Sequence, residues 1–312
     1  MANLGYIQIT RSCNQKCRFC SNPDTGESIT LSQAKRYINA YAKRGYIGVF
    51  LTGGEPTLHP QLTEMIAYAL SKNILPRLIT NGQLLSEKKR LSALIDSGLR
   101  HIMLSVYSCK HRIQAKLSGN LASLSNIRKA LDNIKDAGIR VDIVTTINKY
   151  NASHLSQTAE WIVKSYPFVG HFIWNNLDPL NNRATKNPDT WPKLNDFELE
   201  LNKAMRFLSE AGKTFRVERV PLCYMGGFEH CSTETRKIVK EDERSIYFLD
   251  DKAFVRQKGS VGLIGYSKSK CCKDCLLDSI CAGLYGAGKC YSVSELYPVF
   301  IPKEKIIKKI IE

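Results

Sequence analysis

Three cysteines stand within the stretch Ile9 to Cys20, ITRSCNQKCRFC: Cys13, Cys17 and Cys20, directly behind an apolar run. Thiolates hold iron–sulfur clusters and zinc, and three in one short loop can converge on a single metal centre without long-range folding. A structural zinc or an electron-transfer cluster normally takes four protein ligands. A self-contained set of three therefore implies a centre with one position open to a non-protein ligand. Further along, Val49-Phe50-Leu51-Thr52 runs into Gly53-Gly54-Glu55-Pro56. An apolar strand ending in two glycines lets a ligand approach bare peptide groups, and the adjacent carboxylate can receive an ammonium.

A second thiol set lies toward the other end, where seven of the eleven cysteines fall between Cys223 and Cys290. Cys272-x2-Cys275-x5-Cys281 presents two thiolates to one metal with a third just beyond, and Cys223, on PLCYMGGFEHC, completes four. Four is the count of a fully protein-ligated cluster, and zinc fits it equally well. Cys109 stands alone among polar residues and reads as an ordinary thiol. The six histidines form no spaced pair like a ligand set, and Glu241-Asp242-Glu243 and Asp250-Asp251 read as solvated charge runs.

The elements that must position these groups are legible from residue 1 to about 180. Short β-branched runs (GYIQIT, IGVFLT, LPRLIT, HIMLSVYS, IRVDIVTTI, GHFIWNN) alternate with helical patterns, the first over Leu31 to Lys43 behind a Ser/Thr-rich cap. Six such repeats predict parallel strands with right-handed crossovers, and both leading motifs then fall at the carboxyl ends of strands, where such sheets bind ligands. The pattern alone leaves a doubly wound sheet open. A polar, proline-bearing stretch, NNRATKNPDTWPKLND, marks the expected boundary, and one more helix, NDFELELNKAMRFLSEAG, follows it.

At both leading motifs the chain resembles the radical S-adenosylmethionine enzymes, whose signature is C-x3-C-x2-C followed by a GGE-type strand end. Cys13, Cys17, Cys20, Phe19 and Gly53-Gly54-Glu55-Pro56 carry the resemblance. It implies an open, partial (β/α)6 barrel over residues 1–196 with the site at its top. It also implies a [4Fe–4S] cluster on Cys13, Cys17 and Cys20 with one iron open to S-adenosylmethionine. Reductive cleavage of that cofactor would yield a 5′-deoxyadenosyl radical that takes hydrogen from the substrate. Gly53, Gly54 and Glu55 would receive the methionine ammonium, and Asn81 and Ser105 would make further cofactor contacts. Related enzymes often hold the carboxylate with an arginine after the fourth strand; here that stretch reads AKLSGN, leaving Lys116.

Residues 197–312 resemble the SPASM or twitch extensions that carry auxiliary clusters, since C-x2-C-x5-C is followed by Ala-Gly as in those enzymes. The next cysteine of a full SPASM set is missing, with Tyr285 in its neighbourhood. The expectation is one auxiliary [4Fe–4S] cluster on Cys223, Cys272, Cys275 and Cys281, with Cys231, Cys271 and Cys290 in reserve. This branch of the family implies modification of a ribosomally made peptide by crosslinking, epimerisation or oxidation, fed by flavodoxin or ferredoxin. The first cysteine arrives at residue 13, so a fused leader-recognition domain is expected to be absent and a separate protein, or the basic surface, to capture the leader. The alternative is dehydrogenation or rearrangement of a small sugar- or nucleoside-like metabolite. A different class, a zinc protein binding nucleic acid, has support only from Arg216 to Arg219 beside Phe215.

Composition bounds these readings. A chain of 312 residues, 43% hydrophobic and 24% charged, can bury a full core, and it contains no apolar run near the ~20 residues a membrane span needs. The amino terminus lacks the pattern of a secretory signal, so the expected location is the cytoplasm, where clustered cysteines mean metal ligation instead of disulfides. The net charge of +16 suits nucleic acid, phosphorylated metabolites or acidic peptides, although the lysines are scattered through predicted helices.

Overall fold

A computed structural model describes residues 4–22, 25–179, 182–241, 244–247, 249, 254–257, 265–286 and 291–312. Cys290 and the charge runs at Asp242-Glu243 and Asp250-Asp251 lie outside the described residues. The six expected strands form in order: β1 (Leu4–Thr10), β2 (Gly48–Gly53), β3 (Leu75–Thr80), β4 (His101–Ser105), β5 (Arg140–Ile147) and β6 (His171–Asn176). Their crossovers are α1 (Leu31–Lys43), α2 (Leu62–Ser71), α3 (Lys88–Asp96), the pair α4 (His111–Ser118) and α5 (Ser123–Ile134), and α6 (Leu155–Ser165). α1 starts where its cap predicts: Thr30 Oγ1 accepts from Gln33 N–H at 3.2 Å while the Gln33 side chain accepts from Thr30 N–H at 2.8 Å.

The parallel sheet does not stop at six strands. After a short helix, α7 (Asn182–Lys186), α8 (Leu194–Glu210) packs against α6 and leads into β7 (Thr214–Glu218), which pairs parallel with β6. Of the stretch Phe215 to Arg219, which the sequence offers as a basic patch, Phe215 to Glu218 thus belong to a barrel strand with Arg216 on the open face, while Arg219 follows the strand and pairs with Asp178 at 3.7 Å. Beyond α9 (Thr233–Lys240), β8 (Arg244–Tyr247) joins β1 in parallel and β9 (Phe254–Gln257) returns antiparallel, giving the order β7-β6-β5-β4-β3-β2-β1-β8-β9. A small hairpin pair, β10 (Tyr266–Ser267) with β11 (Leu284–Tyr285), and a last helix, α10 (Lys303–Ile311), complete the chain.

The two faces of this curled half-barrel differ chemically because side chains alternate along each strand. The outward set, including Ile7, Val49, Leu78, Ile102, Val141, Phe172 and Val217, is buried beneath the helices. Burying each such side chain contributes about 1.5–3 kcal/mol, which anchors the register of every strand. The inward set mixes charged and polar side chains, including Arg77, His101, Asp142, His171 and Arg216, with apolar ones such as Phe50 and Met103, and lines an open lumen. Among the described residues no helix is long and apolar enough to cross a membrane.

Candidate active site

The cysteine loop after β1 is clamped on three sides. Beneath it, the end of β2 donates from Gly54 N–H to Thr10 O at 2.7 Å and from Glu55 N–H to Ser12 O at 2.8 Å. Gly53 has φ +137°, and a Cβ there would lie 2.1 Å from Thr10 O, so a side chain would break this contact. Beside it, Lys16 N–H and Arg18 N–H donate to Ser118 O and Leu117 O at the end of α4, a helix sequence reading did not anticipate. Above it, Arg183 N–H on α7 donates to Cys20 O at 3.1 Å, and its guanidinium reaches Cys17 O at 3.3 Å. The loop backbone is therefore set by tertiary hydrogen bonds, while only the thiols are spelled out by the motif.

Cys13, Cys17 and Cys20 line one cavity of about 170 Å³ at the carboxyl ends of β1 to β4, together with Gly53, Gly54, Asn81 and Ser105. Cys17 is buried, and burial with the neighbouring Cys20 pushes its thiol up to about 12, against the contact at 3.6 Å with the Tyr107 hydroxyl. Burial likewise keeps Tyr107 neutral, and its ring meets Phe19 edge-on at 4.8 Å. Phe19, Tyr107, Leu117, Leu177 and Ala184 form an apolar wall around Cys17. Asn81 donates from Nδ2 to Asn14 Oδ1 at 2.7 Å and lies 3.9 Å from Cys13 Sγ, so it braces the loop as well as ending β3.

Two residues expected to contact the cofactor, Glu55 and Lys116, do not line this cavity. Glu55 does not face the cavity: it is fully buried, and its carboxylate accepts from Thr57 N–H (3.1 Å), Thr57 Oγ1 (2.6 Å), Thr80 Oγ1 (2.6 Å) and Asn81 N–H (2.7 Å). It ties the end of β2 to the end of β3, with burial raising its pKa and those four donors opposing the rise. Lys116 is also turned away, its ammonium 3.9 Å above the Tyr150 ring, a cation–π contact. Among the described residues the cations lining the cavity are Arg11, two residues ahead of Cys13, and Arg183, distant in sequence from both motifs. Only the fold brings Arg183 there, and Tyr107 joins the lining for the same reason, whereas Gln15 belongs to the cysteine loop itself.

The second thiol set also comes together. Cys223 feels the charges of Cys281 and Cys272, and Cys281 that of Cys275, so the four share one electrostatic neighbourhood. Burial pushes Cys223 up to about 12. Cys271 points to Leu296 O at 3.3 Å, and buried Cys231 sits near Arg216, Arg236 and Lys309, away from this group. Among the described residues no three His, Cys, Asp or Glu side chains converge on a single ion. A cubane cluster spreads its sulfur ligands over separate irons, so the donor chemistry of both sets, with the glycine cradle at the first, fits iron–sulfur clusters.

A half-barrel with a three-thiol loop at the carboxyl ends of its strands defines a class of metal-dependent α/β enzyme folds. Residues 7–162 match the Radical SAM superfamily, and the chain belongs to it. That superfamily uses a [4Fe–4S] cluster and S-adenosylmethionine. The chain is 32% identical over 117 residues to PqqA peptide cyclase of Rhodopseudomonas palustris, covering 36% of this chain and 31% of that protein. It is 32% identical over 154 residues to GTP 3',8-cyclase of Aquifex aeolicus, covering 46% and 47%. The chain thus spans about a third to a half of the length of these curated relatives. In fold it is similar to native anSMEcpe with bound AdoMet (TM-score 0.64, 17% identity, 99% of this chain and 95% of that one). It is also similar to Streptococcus suis SuiB bound to S-adenosylmethionine (TM-score 0.63, 16% identity, 96% and 77%).

Proposed function

We propose that Cys13, Cys17 and Cys20 hold the cluster, that S-adenosylmethionine binds beside it, and that the chain modifies a ribosomally synthesised peptide. The observation that carries this reading is the shared cavity of the three thiols and the Gly53-Gly54 strand end. Bound there, cluster and cofactor would supply radical chemistry for removing hydrogen from the substrate. The residues of the chain do the positioning. Gly53 and Gly54 bare the strand end to the methionine moiety, Asn81 and Ser105 offer it polar contacts, and Arg11 and Arg183 face its negative charge. Phe19, Tyr107 and Leu117 exclude water from the thiol side, which protects a reactive radical from quenching.

In this reading Cys223, Cys272, Cys275 and Cys281 hold one auxiliary cluster, an outlet for an electron during net oxidation of the peptide. The labour divides between a barrel core and a C-terminal cysteine region, with α8 and β7 packed as part of the barrel. Support for a peptide comes from the peptide cyclase relatives and from similarity in fold to SuiB and anSMEcpe, which have been solved with peptides. The reading places the protein in the cytoplasm, with flavodoxin or ferredoxin as reductant. The test is anaerobic reconstitution followed by incubation with S-adenosylmethionine, dithionite and a precursor peptide encoded nearby. A brown protein that releases 5′-deoxyadenosine and alters the peptide mass is expected, with release abolished in Cys17→Ala. Product formation by that variant at the wild-type rate refutes the assignment.

A further inference from the structure

Below the thiol cavity, in the amino-terminal half of the lumen, lies a second cavity of about 390 Å³ that shares no lining residue with the first. That volume suits a small ligand. Its walls are unusually cationic. Arg77 on β3, Arg140 on β5, Arg216 on β7, and Arg236 and Lys237 on α9 all line it, against two carboxylates, Asp142 and Glu218. Asp142 is already engaged by His101 at 2.8 Å and by Arg140 at 3.0 Å. Among the described residues that line it, the cavity therefore carries a surplus of positive charge.

We propose that this lower lumen binds a multiply charged oxyanion of the phosphate type, gripped by the arginine forks of β3, β5, β7 and α9. Planar guanidinium groups offer paired N–H donors that match phosphate oxygens, and they stay charged where a lysine would titrate. The arginines stand in like-charged pairs. Burial and the proximity of Arg140 disfavour the charge on Arg77, and burial and the proximity of Arg236 disfavour that on Arg216. Holding such pairs together in a half-buried cavity costs free energy that a bound anion offsets. Burial also holds His171, on the same wall, down to about 4, so the arginines and lysine supply the positive charge at neutral pH.

The two cavities are stacked. Phe50, Arg77 and Met103 line the lower one, while Thr52, Ile79 and Ser105, two residues further along the same strands, line the upper. Two residues of strand span ~7 Å, so the two linings are offset by about that distance along the strands. The site stands on the lumen alone and does not depend on the peptide reading.

The experiment is isothermal titration of the full chain at low ionic strength with inorganic pyrophosphate and, separately, with ATP. Saturable one-site binding of pyrophosphate is expected, weakened at least ~10-fold in Arg216→Gln/Arg236→Gln and in Arg77→Gln, as loss of charged hydrogen bonds dictates. Lys88→Gln/Lys89→Gln, on the exposed face of α3, serves as the charge control and should bind as wild type. Should the double variant fail to fold by circular dichroism, the Arg77→Gln variant carries the same comparison. ATP binding ~10-fold tighter than pyrophosphate assigns the oxyanion to the tail of a larger ligand; equal affinities assign a free oxyanion; both sustain the site. No saturable binding, unchanged affinity in the lumen variants, or an equal loss in the α3 control overturns it.

Discussion

Replacing Glu55 by Gln separates two roles for the acid of the GGEP strand end. In the fold its carboxylate takes four hydrogen bonds and never meets the thiol cavity. The Thr57 and Thr80 hydroxyls can rotate to new partners, but the two backbone donors cannot. Thr57 N–H points at Oε1 and Asn81 N–H at Oε2. An amide has one acceptor oxygen, so Glu55→Gln leaves one buried N–H facing an NH₂, at a cost of about 2 kcal/mol. Glu55→Ala orphans both, for about 4 kcal/mol, reduced by the burial cost that the carboxylate no longer incurs. Against a typical total of ~5–15 kcal/mol these are large losses. Urea unfolding followed by far-ultraviolet circular dichroism should show the midpoint falling in the order wild type, Gln, Ala, with iron loading falling in parallel as the cysteine loop loses its floor. A Gln variant with the wild-type midpoint and only a weakened affinity for S-adenosylmethionine refutes this reasoning and restores the ammonium-binding role.

Other outcomes follow from the same geometry. Cys275→Ala should lower iron content by about half, on one auxiliary cluster of equal size, while some uncoupled cleavage of S-adenosylmethionine survives; unchanged iron would remove that site. Lys116→Ala should leave affinity for S-adenosylmethionine within about twofold of wild type, because its ammonium sits on the Tyr150 ring, and a tenfold loss in equilibrium binding would contradict that placement. His154 is buried, with Ser108 Oγ at 2.7 Å from Nε2, and burial with nearby Lys110 lowers it from 6.5 to about 4 although Glu200 opposes. The folded state thus excludes a proton the unfolded chain accepts: stability is fully present above pH ~6.5 and falls as pH drops toward ~4, by at most about 3 kcal/mol. His154→Gln should flatten the slope of unfolding free energy in that window, leaving the share due to His171, and an unaltered slope would show that His154 does not contribute.

The sequence alone determined the parts of this protein governed by local rules. Strand–helix alternation needs only periodicity and caps, so α1 begins and ends at the expected residues, and C-x3-C-x2-C with GGEP marks the thiol loop and its glycine floor because metal ligation and close backbone approach demand those residue types. Other elements were hidden because their signal is tertiary. β7 is masked because it is five residues long and its Arg216 faces an open lumen in place of a packed core, and α4 is too short to show a period. Glu55 and Lys116 illustrate the same limit within the site. A carboxylate beside two glycines and a lysine after a strand are positioned for a cofactor in one dimension. In three, the first finds four donors closer at hand and the second finds an aromatic face. Which side chains turn into a cavity is settled by competing partners brought from distant strands, and that competition has no local trace: Arg183 on the thiol cavity and Arg216 in the lower lumen are where they are because β1 to β7 curl into one half-barrel.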